Sequence, residues 1–390
     1  MPAPKAELRL KQQVAWSTER ILRKVIHACL TIVAIIVVVG CTVDAFGDEA
    51  LFGVNRPRPK WLSGPAWQSE LESMQRAGVR ELRFPVTDPV DESIQSILAA
   101  ARMGVHVLVS FNLNNPSFFP PGTKMRPGVG GHNSPFRLSD IDPKRVVAVW
   151  MQIRDALERE HLPFVGLEIG NEVDWADFNG DLTVGEGARL LMTKNDLAGA
   201  EGQKILTGFD RLMQIVSVIN TADPKRSYPV VVGGLVSVVS DGQPRAMSAI
   251  QMNLAIKLLE ERGVARLANG ISFHVYPAPV IRGKTDLQCQ SWPAQWLPAM
   301  QYCRRSAQPG LSCWITETGT WTAGTACEPQ GERGKDFFCM HSGFVSLNRT
   351  YKIDRVYIFA WQGTVPFHAP FSLFRNGALC GEAKEFFSGK

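Results

Sequence analysis

Two glutamates stand where chemistry would need them. Glu172 closes the run Leu167-Glu168-Ile169-Gly170-Asn171-Glu172, and Glu317 closes Ser312-Cys313-Trp314-Ile315-Thr316-Glu317. Each run is short and largely apolar and ends abruptly in polar side chains, the pattern of a strand buried on both faces in a parallel sheet. An acid at the C-terminal tip of such a strand faces the βα loops, where barrel active sites are built. Two acids so placed can divide labour, one protonated and donating, the other ionised and attacking. Other chemistries lack their residues. The chain has no G-x-S-x-G elbow, no H-E-x-x-H helix and no G-x-x-x-x-G-K-[ST] loop, which sets aside serine hydrolase, zinc protease and P-loop readings.

The elements that must position these acids follow from the alternation of short apolar runs with longer helix-periodic ones. Strands are expected at residues 51–54, 81–86, 105–112, 163–169, 228–234, 270–276, 312–319 and 355–361. Helices are expected around 66–77, 92–103, 143–160, 200–220, 244–263, 293–305, 335–351 and 382–387. Such a series of strand–helix units predicts a mainly parallel sheet of the α/β class, a (β/α)₈ TIM barrel with enlarged βα loops over residues 50–390. A doubly wound open sheet is the competing architecture. In this count Glu172 tips the fourth strand and Glu317 the seventh, across the barrel mouth from each other.

The N-terminus reads differently. Lys5, Arg9, Lys11, Arg20, Arg23 and Lys24 face only Glu7 and Glu19, so residues 1–24 form a basic cytoplasmic segment. The apolar stretch that follows, residues 25–43, ends before Asp44, Asp48 and Glu49. A basic flank, an apolar run and an acidic far side describe a signal-anchor helix or a cleaved export signal. Val38-Val39-Gly40-Cys41 resembles a lipobox, which makes lipidation at Cys41 a further alternative. The catalytic region is then expected outside the cytoplasm. Cys289, Cys303, Cys313, Cys327, Cys339 and Cys380 lie together in the last third of the chain and fit disulfides in an oxidising compartment. Pairs Cys289–Cys303 and Cys327–Cys339 would close short loops. The net charge of +5 is mild and much of it sits in the basic segment, so no nucleic-acid surface is expected; oligomeric state is not readable.

With Asn-Glu ending strand four and a lone Glu ending strand seven, the region from 50 to 390 is similar to glycoside hydrolase clan A, the retaining (β/α)₈ glycosidases. That resemblance implies that Glu172 is the general acid/base and Glu317 the nucleophile. It gives Asn171 a hydrogen bond to the sugar 2-hydroxyl and Arg83, at the tip of strand two, the task of keeping the nucleophile ionised. His274 and Tyr276 match the clan's His-x-Tyr element, and Trp361 its aromatic platform under the sugar. Asn112, Asn114, Trp175 and Trp321 follow strand tips and are placed for substrate contacts. The chain departs from the clan in having Val173 where a proline often follows the Asn-Glu pair. The implied activity is double-displacement hydrolysis of an oligo- or polysaccharide outside the cytoplasm, with neither cofactor nor metal. A carbohydrate-binding protein of polysaccharide export without turnover, and a transglycosylase, are the alternatives.

Overall fold

The computed structural model describes residues 52–57, 64–128, 133–236, 247–276, 297–305, 312–319, 353–362 and 371–375, with scattered positions in 340–351 and 378–387. The chain divides into two units, Met1–Glu49 and Ala50–Lys390; the described residues all belong to the second. The expected anchor therefore lies outside the described residues, as do Trp321, Cys289, Cys327 and Cys339. Among the described residues no helix is long and apolar enough to cross a membrane.

Eight parallel strands close into a barrel. In chain order they are β1 (Phe52–Asn55), β2 (Glu81–Pro85), β3 (His106–Phe111), β4 (Phe164–Ile169), β5 (Val230–Val236), β6 (Gly270–His274), β7 (Ser312–Thr318) and β8 (Ile353–Phe359). Consecutive strands are neighbours, and β8 returns to pair with β1. The helices between them are α1 (Gly64–Arg76), α2 (Val90–Arg102), α3 (Pro143–Arg159), α4 (Gly199–Ala222), α5 (Met252–Glu261) and α6 (Leu297–Arg305).

The closure has a plain physical cause. Outward side chains such as Leu82, Val107, Val109, Leu167, Val232 and Ile271 share one core with the inner faces of the helices. In α3 that face is Val146, Val147, Trp150, Ile153 and Leu157, the three- and four-residue spacing of an amphipathic helix. Pro143 opens α3, and the Asp142 carboxylate accepts from Lys144 N at 2.9 Å, which satisfies one of the free amides of the first turn. Inward side chains form a second, smaller cluster of Leu108, Val231, Trp314 and Tyr357.

Three expectations are corrected. The helix expected over 244–263 is confined to α5, because Ala249–Ile250 forms a short parallel strand with Leu190–Leu191. Ser248 O and Asp174 O tie this segment to the loop after β4, accepting from Ala176 N and Ile250 N respectively. Cys303 pairs with Cys313 rather than with Cys289, since the last turn of α6 brings it beside the second residue of β7, with the two Cα atoms 5.1 Å apart. Finally, β6 ends at His274 and β8 at Phe359, so Tyr276 and Trp361 stand just beyond the strands.

Candidate active site

Register sets which side chains enter the barrel. Asn55 pairs with Arg83, Arg83 with Leu108, Ser110 with Glu168, and Glu168 with Val231, so all of these point to the same, inner side. The interior beneath the mouth is thus polar: Asn55, Arg83, Ser110 and Glu168 are all buried. Arg83 is shared among three acceptors. Its Nε donates to Glu168 Oε2 at 2.6 Å, Nη1 to Glu317 Oε2 at 3.0 Å, and Nη2 to Asn171 Oδ1 at 2.9 Å. A planar guanidinium held at three points has no freedom to turn.

Glu317 reaches this group through a β-bulge. Trp314 points inward and Ile315 outward, so strict alternation would turn Glu317 toward the helices. On the β6 side Phe273 pairs with Ile315 but the next residue, His274, pairs with Glu317; on the β8 side Val356 pairs with Ile315 and Ile358 with Thr318. Thr316 is the extra residue on both ladders, and it returns Glu317 to the barrel mouth. There Glu317 Oε2 accepts from Asn55 Nδ2 at 3.0 Å as well as from Arg83, and Oε1 accepts a short hydrogen bond from the Tyr276 hydroxyl.

Glu172 is aimed by backbone. Gly170 has φ +107 and Glu172 itself φ +51, a left-handed conformation costly for a side-chain-bearing residue and characteristic of functional turns. Glu172 N donates to Gly234 O at 2.9 Å, and Gly234 N in turn donates to Ser272 Oγ at 2.8 Å. The Glu172 carboxyl lies 3.0 Å from His274 Nδ1, which is 3.8 Å from Glu317 Oε2. One ligand atom from each of Glu172, His274 and Glu317 lies within 4.8 Å of the others.

The two acids are unequal. Burial pushes the Glu172 carboxyl well above the usual range, and the negative charge of Glu317 pushes it further, followed by Asp174. Burial also raises Glu317, but the Arg83 charge and the Tyr276 hydrogen bond oppose it. The shared proton of the pair therefore belongs on Glu172. Burial drives His274 well below its ordinary value, with the Arg83 charge acting in the same direction, so the imidazole is neutral. Burial, with Glu317 adjacent, raises the Tyr276 phenol and keeps it a donor.

The remaining candidates stand at differing removes. Asn171 spends its carbonyl oxygen on Arg83, which turns its amide nitrogen away from Arg83. Asn112 Oδ1 accepts from Asn114 N at 3.2 Å and Asn114 Oδ1 from Phe136 N at 3.1 Å, so both shape the loop after β3. Trp175 is half-buried and bridges to Ala249. Trp361 is fully buried and stacks on Phe374 with ring centroids 5.0 Å apart, so the ring face against Phe374 is already covered. Asn55, Glu168, Asp174 and Gly234 join the site without having been singled out from sequence. Glu168 had a visible signal, a charge inside an otherwise apolar strand. Asp174 is fully buried, accepts from Val236 N at 3.1 Å and is pushed by burial up to about 8.

No protein-family model matches the chain, and no curated protein matches it either. Solved structures share the fold. An exo-beta-1,4-mannosidase from Opitutaceae bacterium strain TAV5 superposes with a TM-score of 0.53 at 15% identity, over 87% of this chain and 59% of that one. A beta-galactosidase from the psychrophilic Marinomonas ef1 superposes with a TM-score of 0.51 at 13% identity, over 87% of this chain and 58% of that one. The chain spans under two thirds of the length of either protein, and at these identities the likeness is one of fold.

Proposed function

We propose that the chain is a retaining β-glycoside hydrolase that cleaves a polysaccharide outside the cytoplasm. The observation that carries this reading is the pair Glu172 and Glu317, with carboxyl oxygens within 4.8 Å, one environment favouring the proton and the other opposing it. Retention needs carboxyl groups about 5–5.5 Å apart, whereas inversion needs about 6.5–9.5 Å to admit water between them.

In the first step Glu317 attacks the anomeric carbon while Glu172 gives its proton to the leaving oxygen. The C–O bond to the leaving group breaks as the bond to Glu317 forms. Loss of that proton leaves Glu172 ionised, and it then takes a proton from water, whose oxygen displaces Glu317 from the anomeric carbon. Arg83, Asn55 and Tyr276 hold both oxygens of the nucleophile and stabilise it when it departs as a carboxylate. The Asn171 amide nitrogen is the donor for the sugar 2-hydroxyl, its orientation fixed by Arg83. The chemistry of the sequence before residue 50 supports delivery across a membrane, with the hydrolase outside and retained by an anchor.

Two variants test the assignment. Glu317→Gln is expected to lose nearly all hydrolysis of an activated aryl β-glycoside while unfolding like the wild type. Glu172→Ala is expected to recover activity with azide as external nucleophile. A fully active Glu317→Gln protein overturns the mechanism, and azide rescue at position 317 instead reverses the roles.

A further inference from the structure

We propose that Glu172, His274 and Glu317 also form a three-ligand site for a borderline divalent cation such as Zn²⁺, and that occupation of this site switches the hydrolase off. The inhibitory part rests on the hydrolase reading; the metal site itself does not.

The donor set comes first. Two carboxylate oxygens and one neutral imidazole nitrogen match the ligands of zinc sites that keep a fourth position open. His274 would serve through Nδ1. Its Nε2 makes no hydrogen bond, and it faces Gly234 so closely that a Cβ at that position would lie 3.0 Å away. Nδ1 is the nitrogen that lies within reach of both acids.

The spacing fits next. Zinc–ligand bonds of about 2.1 Å place tetrahedral ligand atoms about 3.4 Å apart. His274 Nδ1 stands 3.0 Å from Glu172 Oε1 and 3.8 Å from Glu317 Oε2, on either side of that value. The third edge is within 4.8 Å, so it has to shorten by no more than about 1.4 Å, within the range of carboxylate rotation. At Glu172, Oε1 has His274 Nδ1 as its hydrogen-bond partner at 3.0 Å, a contact that an ion between them would replace, and the buried Oε2 has no partner.

Charge completes the argument. The Arg83 guanidinium is shared between Glu168 at 2.6 Å and Glu317 at 3.0 Å, so its single positive charge offsets only one of the carboxylates around it. With Glu168, Glu317 and Glu172 all ionised around Arg83 the cluster carries a double negative charge, which a divalent cation cancels and a single proton only halves. Mg²⁺, which requires near-octahedral oxygen ligation, is not suited to a site with one nitrogen and two carboxylates. A bound cation would hold the lone pair of Glu317 and exclude the proton from Glu172, removing both halves of the hydrolytic step.

The test uses the full-length chain, stripped with EDTA and desalted, titrated with zinc chloride against a chromophoric zinc indicator. One Zn²⁺ per chain is expected, with Mg²⁺ failing to compete. Glu172→Gln, Glu317→Gln and His274→Gln are each expected to weaken binding by about tenfold or more, with folding checked by circular dichroism. Hydrolysis by the wild type is expected to fall with the same zinc midpoint and to return with EDTA. Absence of stoichiometric uptake, or uptake unchanged in all three variants, overturns the site. Hydrolysis that persists with zinc bound overturns the switch, and zinc binding in a protein without any hydrolytic activity keeps the site while removing the hydrolase reading.

Discussion

Replacing Gly234 by alanine separates what backbone does for the site from what side chains do. Gly234 sits at φ +54, and a Cβ there would lie 3.0 Å from His274 Nε2, 3.2 Å from Asn171 Cα and 3.3 Å from Glu172 N. A left-handed conformation costs a side-chain-bearing residue ~1 kcal/mol, and a methyl forced into a filled site costs ~1–3 kcal/mol. Together they remove about 2–4 kcal/mol of stability. A folded unit the size of Ala50–Lys390 has an unfolding entropy of about 0.7 kcal/mol/K, at ~2.1 cal/mol/K per residue. The unfolding temperature should therefore fall by roughly 3–6 °C. Because the atoms pushed aside belong to His274, Asn171 and Glu172, kcat/KM on an aryl β-glycoside should drop about a hundredfold for a shift near ~1 Å. Gly104 provides the control: its φ is +76, but a Cβ there meets nothing within 4 Å. Gly104→Ala should lose only about 1–2 °C and keep its kcat/KM. Calorimetry and steady-state kinetics on both variants decide the matter. Equal losses of unfolding temperature with kcat/KM intact in both would refute the claim that the Gly234 backbone holds the site.

Two further outcomes follow from charges inside the barrel. Glu168→Gln removes a negative charge that raises the Glu317 carboxyl, so Glu317 ionises at lower pH. The acid limb of the kcat/KM profile should move to lower pH; a limb that stays in place counts against the coupling through Arg83. Asp174 is held protonated in the fold, pushed by burial up to about 8 from an ordinary 3.8. A raised carboxyl makes its full contribution below the unfolded value and loses it as pH climbs through the folded one. Wild-type stability should thus decline between the two values, and Asp174→Asn should flatten the decline. Urea denaturation at acid and alkaline pH should find the variant more stable than wild type only at the alkaline end; a constant difference between the two proteins would contradict the burial argument.

Much of the barrel was legible because each parallel strand is covered on both faces and appears as an uninterrupted apolar run. Val107-Leu108-Val109 and Val230-Val231-Val232 show this without reference to partners. The strand count then brought Glu172 and Glu317 to opposite sides of one mouth. What stayed hidden depends on contacts through space. Asn55 looks like an ordinary loop start until β1 closes against β8, and Gly234 like a weak strand end until Glu172 N is seen to bond its carbonyl. The Ala249–Ile250 strand could not be read either, because its partner Leu190–Leu191 lies far away in sequence. The Cys303–Cys313 pairing follows from the packing of α6 on β7, which spacing between cysteines does not encode.

The bulge at Thr316 has a consequence for how this site can change. Because side-chain direction alternates with every residue of a strand, the aim of Glu317 is a matter of odd or even count. Deleting Thr316 would place Glu317 two residues after the inward Trp314, so a regular β7 would still aim it at the mouth; keeping Thr316 but pairing it into the ladders would swing the acid into the helix-facing core. The aim of Glu317 therefore depends on Thr316 staying outside both ladders, a matter of pairing rather than of side-chain size. A regular strand that has lost Thr316 and a bulged strand that keeps it both deliver Glu317 to the mouth, whereas a regular strand that keeps Thr316 does not.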